Sequence, residues 1–113
     1  MKTIFEKIID REIPADIVYE DDISLAFLDI NPVRKGHILL IPKKEITSLA
    51  SVQKEDQLLL GHLMLKAAYI AEQEGFAQKG YRLVTNVGEH GCQTVPHIHF
   101  HILGGRFMDW PPG

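Results

Sequence analysis

The fold of this chain is decided by the stretch Pro96-His97-Ile98-His99-Phe100-His101-Ile102-Leu103-Gly104-Gly105. Histidine alternates in it with large apolar residues, and proline and glycine flank the run, which is typical of a β-strand. Because successive side chains of a strand point to opposite faces, we expect the histidines on one face and the apolar residues on the other. The two sets are His97, His99 and His101, and Ile98, Phe100 and Ile102.

The row of imidazoles indicates phosphate or proton chemistry. Same-face neighbours on a strand lie roughly 6.5 Å apart, so the rings can donate, accept or attack along one polar ligand. An unperturbed imidazole has a pKa of about 6.5 and gains or loses a proton at cellular pH. Two other interpretations stay open at this point. The histidines could form the solvent face of an edge strand, or pairs two residues apart could chelate zinc or copper.

Length and charge restrict the class of protein. With 113 residues, the chain is expected to form a single domain over 1–113. A net charge of −3 argues against a nucleic-acid binder or a protein of anionic membranes, since both need a basic surface. The single cysteine, Cys92, excludes an internal disulfide and fits a reducing compartment. We find neither an apolar run of about 18 residues nor a signal peptide, so we expect a cytoplasmic protein without membrane contact.

Two helices are predicted outside the histidine stretch. Thr3-Ile4-Phe5-Glu6 matches a capping box and opens a short helix that runs through about Asp10. One long helix is expected from about Val52 to Glu74, with Ser51 as its N-cap and Gly75 as its C-terminal stop. Apolar residues spread over more than one face of the long helix. This pattern suggests that a second surface of the helix is covered, for example by another subunit.

Four further strands are predicted from alternating apolar residues bounded by turn residues. They are Asp16–Glu20, Ile23–Leu28, Gly36–Ile41 and Tyr81–Asn86. The expected fold class is therefore α+β: a five-stranded, mainly antiparallel sheet with one long helix and a short N-terminal helix.

Polar side chains near the ends of these strands are candidate site residues. Asp29 ends the second strand, and His37 on the third could fix the tautomer of another imidazole. The loop before the histidine stretch has glycines that let the backbone approach a ligand closely, and it is bounded by Asn86, Gln93 and Thr94. The two remaining histidines are interpreted as structural or solvent-exposed: His62 and His90.

The histidine row resembles the signature of the histidine triad superfamily of nucleotide hydrolases and transferases. Other segments resemble its Hint branch, the histidine triad nucleotide-binding proteins, and the resemblance covers essentially the whole chain. These segments are Thr3-Ile4-Phe5, Glu12-Ile13-Pro14-Ala15, Phe27-Leu28-Asp29-Ile30, Leu40-Ile41-Pro42-Lys43-Lys44, Gly61-His62-Leu63-Met64 and the ending Trp110-Pro111-Pro112-Gly113.

The resemblance implies a homodimer that hydrolyses purine nucleoside phosphoramidates to AMP or GMP and an amine, without a metal or other cofactor. Acyl-adenylates are a further implied substrate. The implied catalytic residues are His99 as the nucleophile at the α-phosphorus, His101 as a hydrogen-bond donor to the phosphate, His97 and His37 as orienting and proton-relaying groups, and Thr94 as a proton source for the amine. The implied nucleotide contacts are Asn86, Gln93 and Thr94 at the phosphate, Asp29 at the ribose, and Ile4, Phe5, Ile8, Phe27 and Ile30 around the base.

Other functions fit the same residues. A noncatalytic module that senses purine nucleotides would need the pocket without turnover, and a sister branch hydrolyses dinucleoside polyphosphates. The Trp-Pro-Pro-Gly ending argues against that sister branch. Thr94 departs from the most familiar Hint pattern, which often has serine there, and Pro96 and Asp109 stand at positions that vary in the branch. These departures bear on the leaving group rather than on the class of reaction.

Overall fold

Five antiparallel strands and two α-helices make up the fold in a computed structural model that describes residues 1–29 and 36–113. In chain order the elements are α1 (Ile4–Ile9), β1 (Ile17–Glu20), β2 (Ser24–Leu28), β3 (His37–Pro42), α2 (Gln57–Gln73), β4 (Arg82–Val84) and β5 (Phe100–Leu103). The sheet order is β1-β2-β3-β5-β4, and each neighbouring pair is antiparallel. The predicted α+β class, with one long and one short helix, is confirmed.

Apolar residues cover both faces of the sheet. Strand β3 shows the alternation, since Ile38 and Leu40 pack in one cluster while Leu39 and Ile41 pack in the other. The larger cluster lies under α2 and includes Leu63, Ala67, Ile70, Phe100 and Ile102. The smaller cluster lies under α1 and consists of Phe5, Ile8, Leu25, Phe27, Leu39 and Ile41. Polar side chains on the α1 face of the central strands therefore lie beside the smaller cluster, where they can form a site.

The short N-terminal helix begins as predicted. The Thr3 hydroxyl oxygen accepts a hydrogen bond from the Glu6 backbone N–H at 3.1 Å, and the Glu6 carboxylate accepts one from the Thr3 backbone N–H at 3.0 Å. This reciprocal pair satisfies two helix-end donors and fixes where α1 starts. Phe5 and Ile8 form its buried face.

The long helix begins later than predicted, and Ser51 as its N-cap was wrong. The segment starts with two short 3₁₀ turns, Leu49–Ser51 and Lys54–Asp56, and Ser48 caps the first of them. Between the turns, Val52 is extended (ψ 147°), so the helical backbone is interrupted and α2 starts only at Gln57. The predicted stop is confirmed, because Gly75 follows the helix with a φ of +84°. No helix in the described ranges is long and apolar enough to cross a membrane.

The histidine stretch forms a shorter strand than predicted, since β5 begins at Phe100 and leaves His97 and His99 before it. Pairing with β3 ends at Leu40 opposite Phe100. Two residues further along β3 stands Pro42, which has no backbone N–H for a ladder hydrogen bond. The chain turns instead to a different partner, and the Ile98 N–H donates to the Ile46 carbonyl oxygen at 2.7 Å.

The other predicted strands are confirmed with shifted ends. The largest difference is in β4, which covers Arg82–Val84 rather than Tyr81–Asn86. Beyond Val84, side chains replace the ladder: the Thr85 hydroxyl donates to the His99 carbonyl oxygen at 2.8 Å, and the Asn86 amide donates to the Gly91 carbonyl oxygen at 2.6 Å.

Gly104 should not tolerate a side chain, because an added Cβ would lie 2.3 Å from Cγ of Phe76. We expect Gly104→Ala to lower the free energy of unfolding by roughly 1–3 kcal/mol, the usual effect of overpacking. Gly61→Ala is the control, since nothing lies within 4 Å of an added Cβ there and alanine favours the interior of α2. That variant should be more stable by up to about 1 kcal/mol. Urea unfolding at one protein concentration measures both, and a Gly104→Ala variant as stable as the native chain would contradict the packing at Phe76.

Candidate active site

The histidines gather on the face of the sheet opposite α2, around the start of β5. The ring centroids of His99 and His101 are 5.1 Å apart, and those of His101 and His37 are 5.0 Å apart. His97 is fully buried behind them. The expectation that the row occupies one face therefore holds for the neighbouring rings, although only His101 belongs to the strand itself.

His97 is held by the backbone of β3. Its Nε2 lies 2.8 Å from the carbonyl oxygen of Pro42, which can only accept, so Nε2 carries the proton. Its Nδ1 is buried and has no hydrogen-bond partner in the described part of the chain. The ring is thereby fixed in one tautomer and one orientation. The backbone carbonyl group of His97 faces the side chain of His99.

His99 has the geometry of a nucleophile. Its Nδ1 donates a hydrogen bond to the carbonyl oxygen of His97 at 2.7 Å, which leaves a lone pair on Nε2. The side chain is 4% exposed, and this burial lowers the pKa of His99 below the usual range, partly offset by the hydrogen bond to His97. A neutral ring with a fixed tautomer and a free lone pair is what attack on phosphorus requires.

His101, His37 and Asp29 form a chain of contacts that leads away from the nucleophile. Nδ1 of His101 lies 2.8 Å from Nε2 of His37, and Nδ1 of His37 lies 3.3 Å from a carboxylate oxygen of Asp29. Burial, followed by the charges of His99 and His37, lowers the pKa of His101 to about 4. That His37 fixes the tautomer of another imidazole stays a prediction, for which His101 is the ring in contact. The sequence indicated no contact between Asp29 and His37.

The loop before the histidines is tied together by its own amides. The Gln93 side chain accepts from the Gly88 N–H at 3.0 Å and donates to the carbonyl oxygens of Thr47 and Val95 at 2.8 and 3.0 Å. With the Asn86 bond to Gly91, these contacts hold the loop in one shape. Thr94 is exposed, and its hydroxyl has no hydrogen-bond partner within the described ranges.

The residues predicted to surround a base lie mostly inside the protein. Phe5, Ile8 and Phe27 are 4%, 1% and 0% exposed in the cluster under α1, whereas Ile4 is 42% exposed. Ile30 lies outside the described residues. The Phe5 ring contacts the rings of His97 and His99, a role that the amphipathic pattern of α1 did not indicate.

The histidines outside this site behave as predicted. His62 is half-buried, and its Nε2 lies 2.8 Å from a carboxylate oxygen of Asp21 and 3.3 Å from the Ser24 hydroxyl, so it joins α2 to the β1–β2 turn. His90 is exposed in the loop. Among the residues that the structure describes, no group of three or more His, Cys, Asp or Glu side chains could hold a metal ion.

Comparisons with known proteins agree with this fold. A family model described as HIT domain matches residues 10–108. An uncharacterized HIT-like protein of Synechococcus elongatus is 59% identical over 111 residues, which cover 98% of this chain and 96% of that protein. A 14 kDa zinc-binding protein of Zea mays is 53% identical over 113 residues, which cover 98% of this chain and 88% of that protein. A HIT family hydrolase from Legionella pneumophila, solved as a crystal structure and 48% identical, superposes with a TM-score of 0.95 over 99% of this chain and 100% of its own.

Acid should weaken the fold through the buried imidazoles. The pKa of His101 is about 4 in the folded chain, against about 6.5 for an unfolded histidine. Between these values the unfolded chain binds more protons, so the free energy of unfolding should fall as pH drops from about 6.5 to about 4. Above about 6.5 this residue adds no pH dependence, since both states are neutral there.

Two measurements check this expectation. Ring NMR titration should find His101 neutral at pH 6, and urea unfolding across the same pH range should show a smaller acid loss in His101→Gln than in the native chain. Protonation of the folded His101 ring at its ordinary pKa, with equal acid loss in both proteins, would contradict the expected effect of burial.

Proposed function

The chain belongs to the HIT domain family, and on this premise we propose that it is a metal-independent hydrolase of purine nucleoside 5′-phosphoramidates, as in the Hint branch. The observation that carries the proposal is the free Nε2 lone pair of His99. It is free because Nδ1–H donates to the His97 carbonyl oxygen, with 2.7 Å between nitrogen and oxygen. The products would be a nucleoside monophosphate and an amine. Acyl-adenylates, which have the same α-phosphate, are a second substrate class under this proposal.

In the first step, His99 Nε2 attacks the α-phosphorus and the P–N bond breaks. The ring gains positive charge as the N–P bond forms, and the His97 carbonyl oxygen on Nδ1–H is placed to stabilise that charge. The leaving amine takes a proton, for which the exposed hydroxyl of Thr94 is the candidate donor. In the second step, water attacks the phosphorus and the P–Nε2 bond breaks, with its electron pair returning to Nε2. One proton of the water restores the Thr94 hydroxyl, and the monophosphate is released.

The contacts of His101 support a donor to the phosphate. Nε2 of His37 lies 2.8 Å from Nδ1 of His101, and the role that we propose for His101 requires Nε2–H of His37 to donate to Nδ1 of His101. The proton of the neutral His101 ring then stands on Nε2, where it can donate to a phosphoryl oxygen. We propose a second role for Asp29 beside its implied contact with the ribose: its carboxylate, 3.3 Å from Nδ1 of His37, orients the ring that contacts His101.

The remaining nucleotide contacts follow from the placement of the loop and the cluster under α1. The side chains of Gln93 and Asn86 form hydrogen bonds with backbone groups of the loop and of Thr47. They would therefore support a phosphate site chiefly by fixing the backbone of the loop. Ile4 is the exposed residue among those implied at the base, while Ile8 and Phe27 are buried in the cluster under α1 and support it from within.

A resident zinc ion does not fit these residues, although the relative from Zea mays is called zinc-binding. In the described part of the chain no cluster of three metal-ligating side chains is present. No step of the proposed reaction passes through a metal.

Adenosine 5′-phosphoramidate is the substrate for the first test. AMP release by the native chain should be unchanged by excess EDTA and should fall by at least about a thousandfold in His99→Ala, as expected when a nucleophile is removed. His90→Ala is the matched control, since that histidine lies exposed in the loop, and it should keep native turnover.

Other outcomes separate the alternatives. AMP binding without turnover of any phosphoramidate would favour the nucleotide-sensing module, and turnover only of dinucleoside polyphosphates would favour the sister branch. Turnover lost to EDTA would contradict the metal-independent mechanism.

We further propose that the chain is a homodimer through the β4 edge of the sheet. Leu83 pairs with Ile102, which packs under α2, so its side chain lies on the α2 face of an unpaired edge strand and is 37% exposed. Leu65 of α2 is 73% exposed. An edge strand that carries an exposed apolar side chain is a ready surface for a second copy, and exposed apolar residues of α2 are available to extend it.

Sedimentation equilibrium tests this surface. The native chain should sediment as a dimer, and Leu83→Glu should shift it to a monomer by placing a charge at the centre of the interface. Val18→Glu is the matched control on β1, the opposite edge of the sheet, and should remain dimeric. A monomeric native chain at all concentrations, or a dimer broken equally by both variants, would contradict the assignment to β4.

A further inference from the structure

The ring of Phe5 packs against His99, the proposed nucleophile. Its ring centroid lies 4.9 Å from that of His99, with the planes at 78°, and 6.3 Å from that of His97, with the planes at 83°. On its other side it packs against Phe27 at 5.7 Å. Each of these is an edge-to-face contact, the arrangement that aromatic rings prefer.

The His99 ring packs against two other rings. The centroid of Phe5 lies 4.9 Å from that of His99 and the centroid of His101 lies 5.1 Å from it, while Nδ1–H donates to the His97 carbonyl oxygen. One hydrogen bond restrains one atom of a ring, and packing on its sides restrains the plane. Phe5 itself is fixed because α1 is held by the Thr3 and Glu6 capping box.

We propose that Phe5 is a positioning residue for His99: it holds the imidazole plane with Nε2 directed at the α-phosphorus and keeps water away from the ring. The inference rests on the proposed function, since it concerns the nucleophile of that reaction. It differs from the base-slot role that the family resemblance implies for this residue. With only 4% of Phe5 exposed, little of its surface is left for a nucleobase, and most of the ring contacts protein.

The charged and titratable groups around His99 limit how a change at Phe5 would act. His97 precedes it, His101 faces it from β5, His37 of β3 stands behind His101, and Asp29 follows β2. From α1 the neighbour of His99 is the uncharged ring of Phe5. Removing that ring would leave the surrounding charges in place and chiefly admit water, which raises the pKa of His99 toward its ordinary value.

The two roles predict different kinetics. A positioning residue acts on the chemical step, so its loss lowers kcat and moves the acid limb of the pH profile, whereas a base contact acts on binding and raises KM. We expect Phe5→Leu to lower kcat for adenosine 5′-phosphoramidate by about tenfold or more, to change KM by less than about twofold, and to move the acid limb to higher pH.

Leu25→Ala is the matched control. Leu25 is fully buried in the same cluster, and this change removes as many carbon atoms as Phe5→Leu without touching the histidine rings. It should lower stability while kcat and the acid limb stay native. Phe5→Met, with a flexible side chain that fills irregular gaps, is measured beside Phe5→Leu so that loss of folding in one variant does not end the test. All assays are made at a temperature where circular dichroism shows each variant folded.

NMR titration of the His99 ring gives a readout that needs no turnover. Its pKa should be higher in both Phe5 variants than in the native chain and in Leu25→Ala. A raised KM with native kcat, native acid limb and native His99 titration would overturn the inference in favour of the base slot. If the native chain has no phosphoramidase activity, the proposed function fails, but the titration still decides whether Phe5 controls the His99 environment.

Discussion

The antiparallel register of β3 and β5 is the constraint on which the site depends. It sets His37 opposite Leu103 and Leu39 opposite His101, so His37 and His101 are diagonal neighbours on one face. Their ring nitrogens meet at 2.8 Å for that reason. A slip of one residue would turn His101 into the cluster under α2 and bring Phe100 and Ile102 to the site. The apolar packing under α2 and the alignment of the imidazoles are thus two results of the same pairing.

Backbone carbonyl groups fix the imidazoles that the strand register brings together. The carbonyl oxygens of Pro42 and His97 each accept a hydrogen bond from an imidazole N–H, and a carbonyl oxygen can never act as the donor. Two rings are therefore held in single tautomers by backbone groups. The carboxylate of Asp29 lies at the other end of the row, beside His37. The rings fixed by backbone carbonyls and the contacts from His101 to Asp29 thus occupy the two ends of one short row.

The alternation of His97 to Ile102 allowed the faces of the sheet, the α+β class and the central position of the histidines to be predicted from the sequence. The point where the strand ends could not be predicted in this way, because it depends on Pro42 lying beside a segment more than fifty positions later in the chain. The start of α2 was missed for a more local reason. Val52 is extended between two 3₁₀ turns, and its apolar side chain gives the same periodicity that a helix would. The Thr3 to Glu6 capping box was predictable because all its partners lie within one turn.

The site likewise contains residues that the local sequence indicated and contacts that only the tertiary structure shows. Residue types and nearness in sequence indicated His99, His101 and Thr94, since each belongs to the histidine stretch or precedes it. The contact of Asp29 with His37 and that of Phe5 with His99 are tertiary, and amphipathic patterning marks Phe5 only as apolar. That pattern does not distinguish a wall of a ligand slot from a support for a catalytic ring, because both require an apolar side chain on the same face of α1. Burial distinguishes them: an almost fully covered aromatic ring has its contacts within the protein, and here the contacts are the rings of His97, His99 and Phe27.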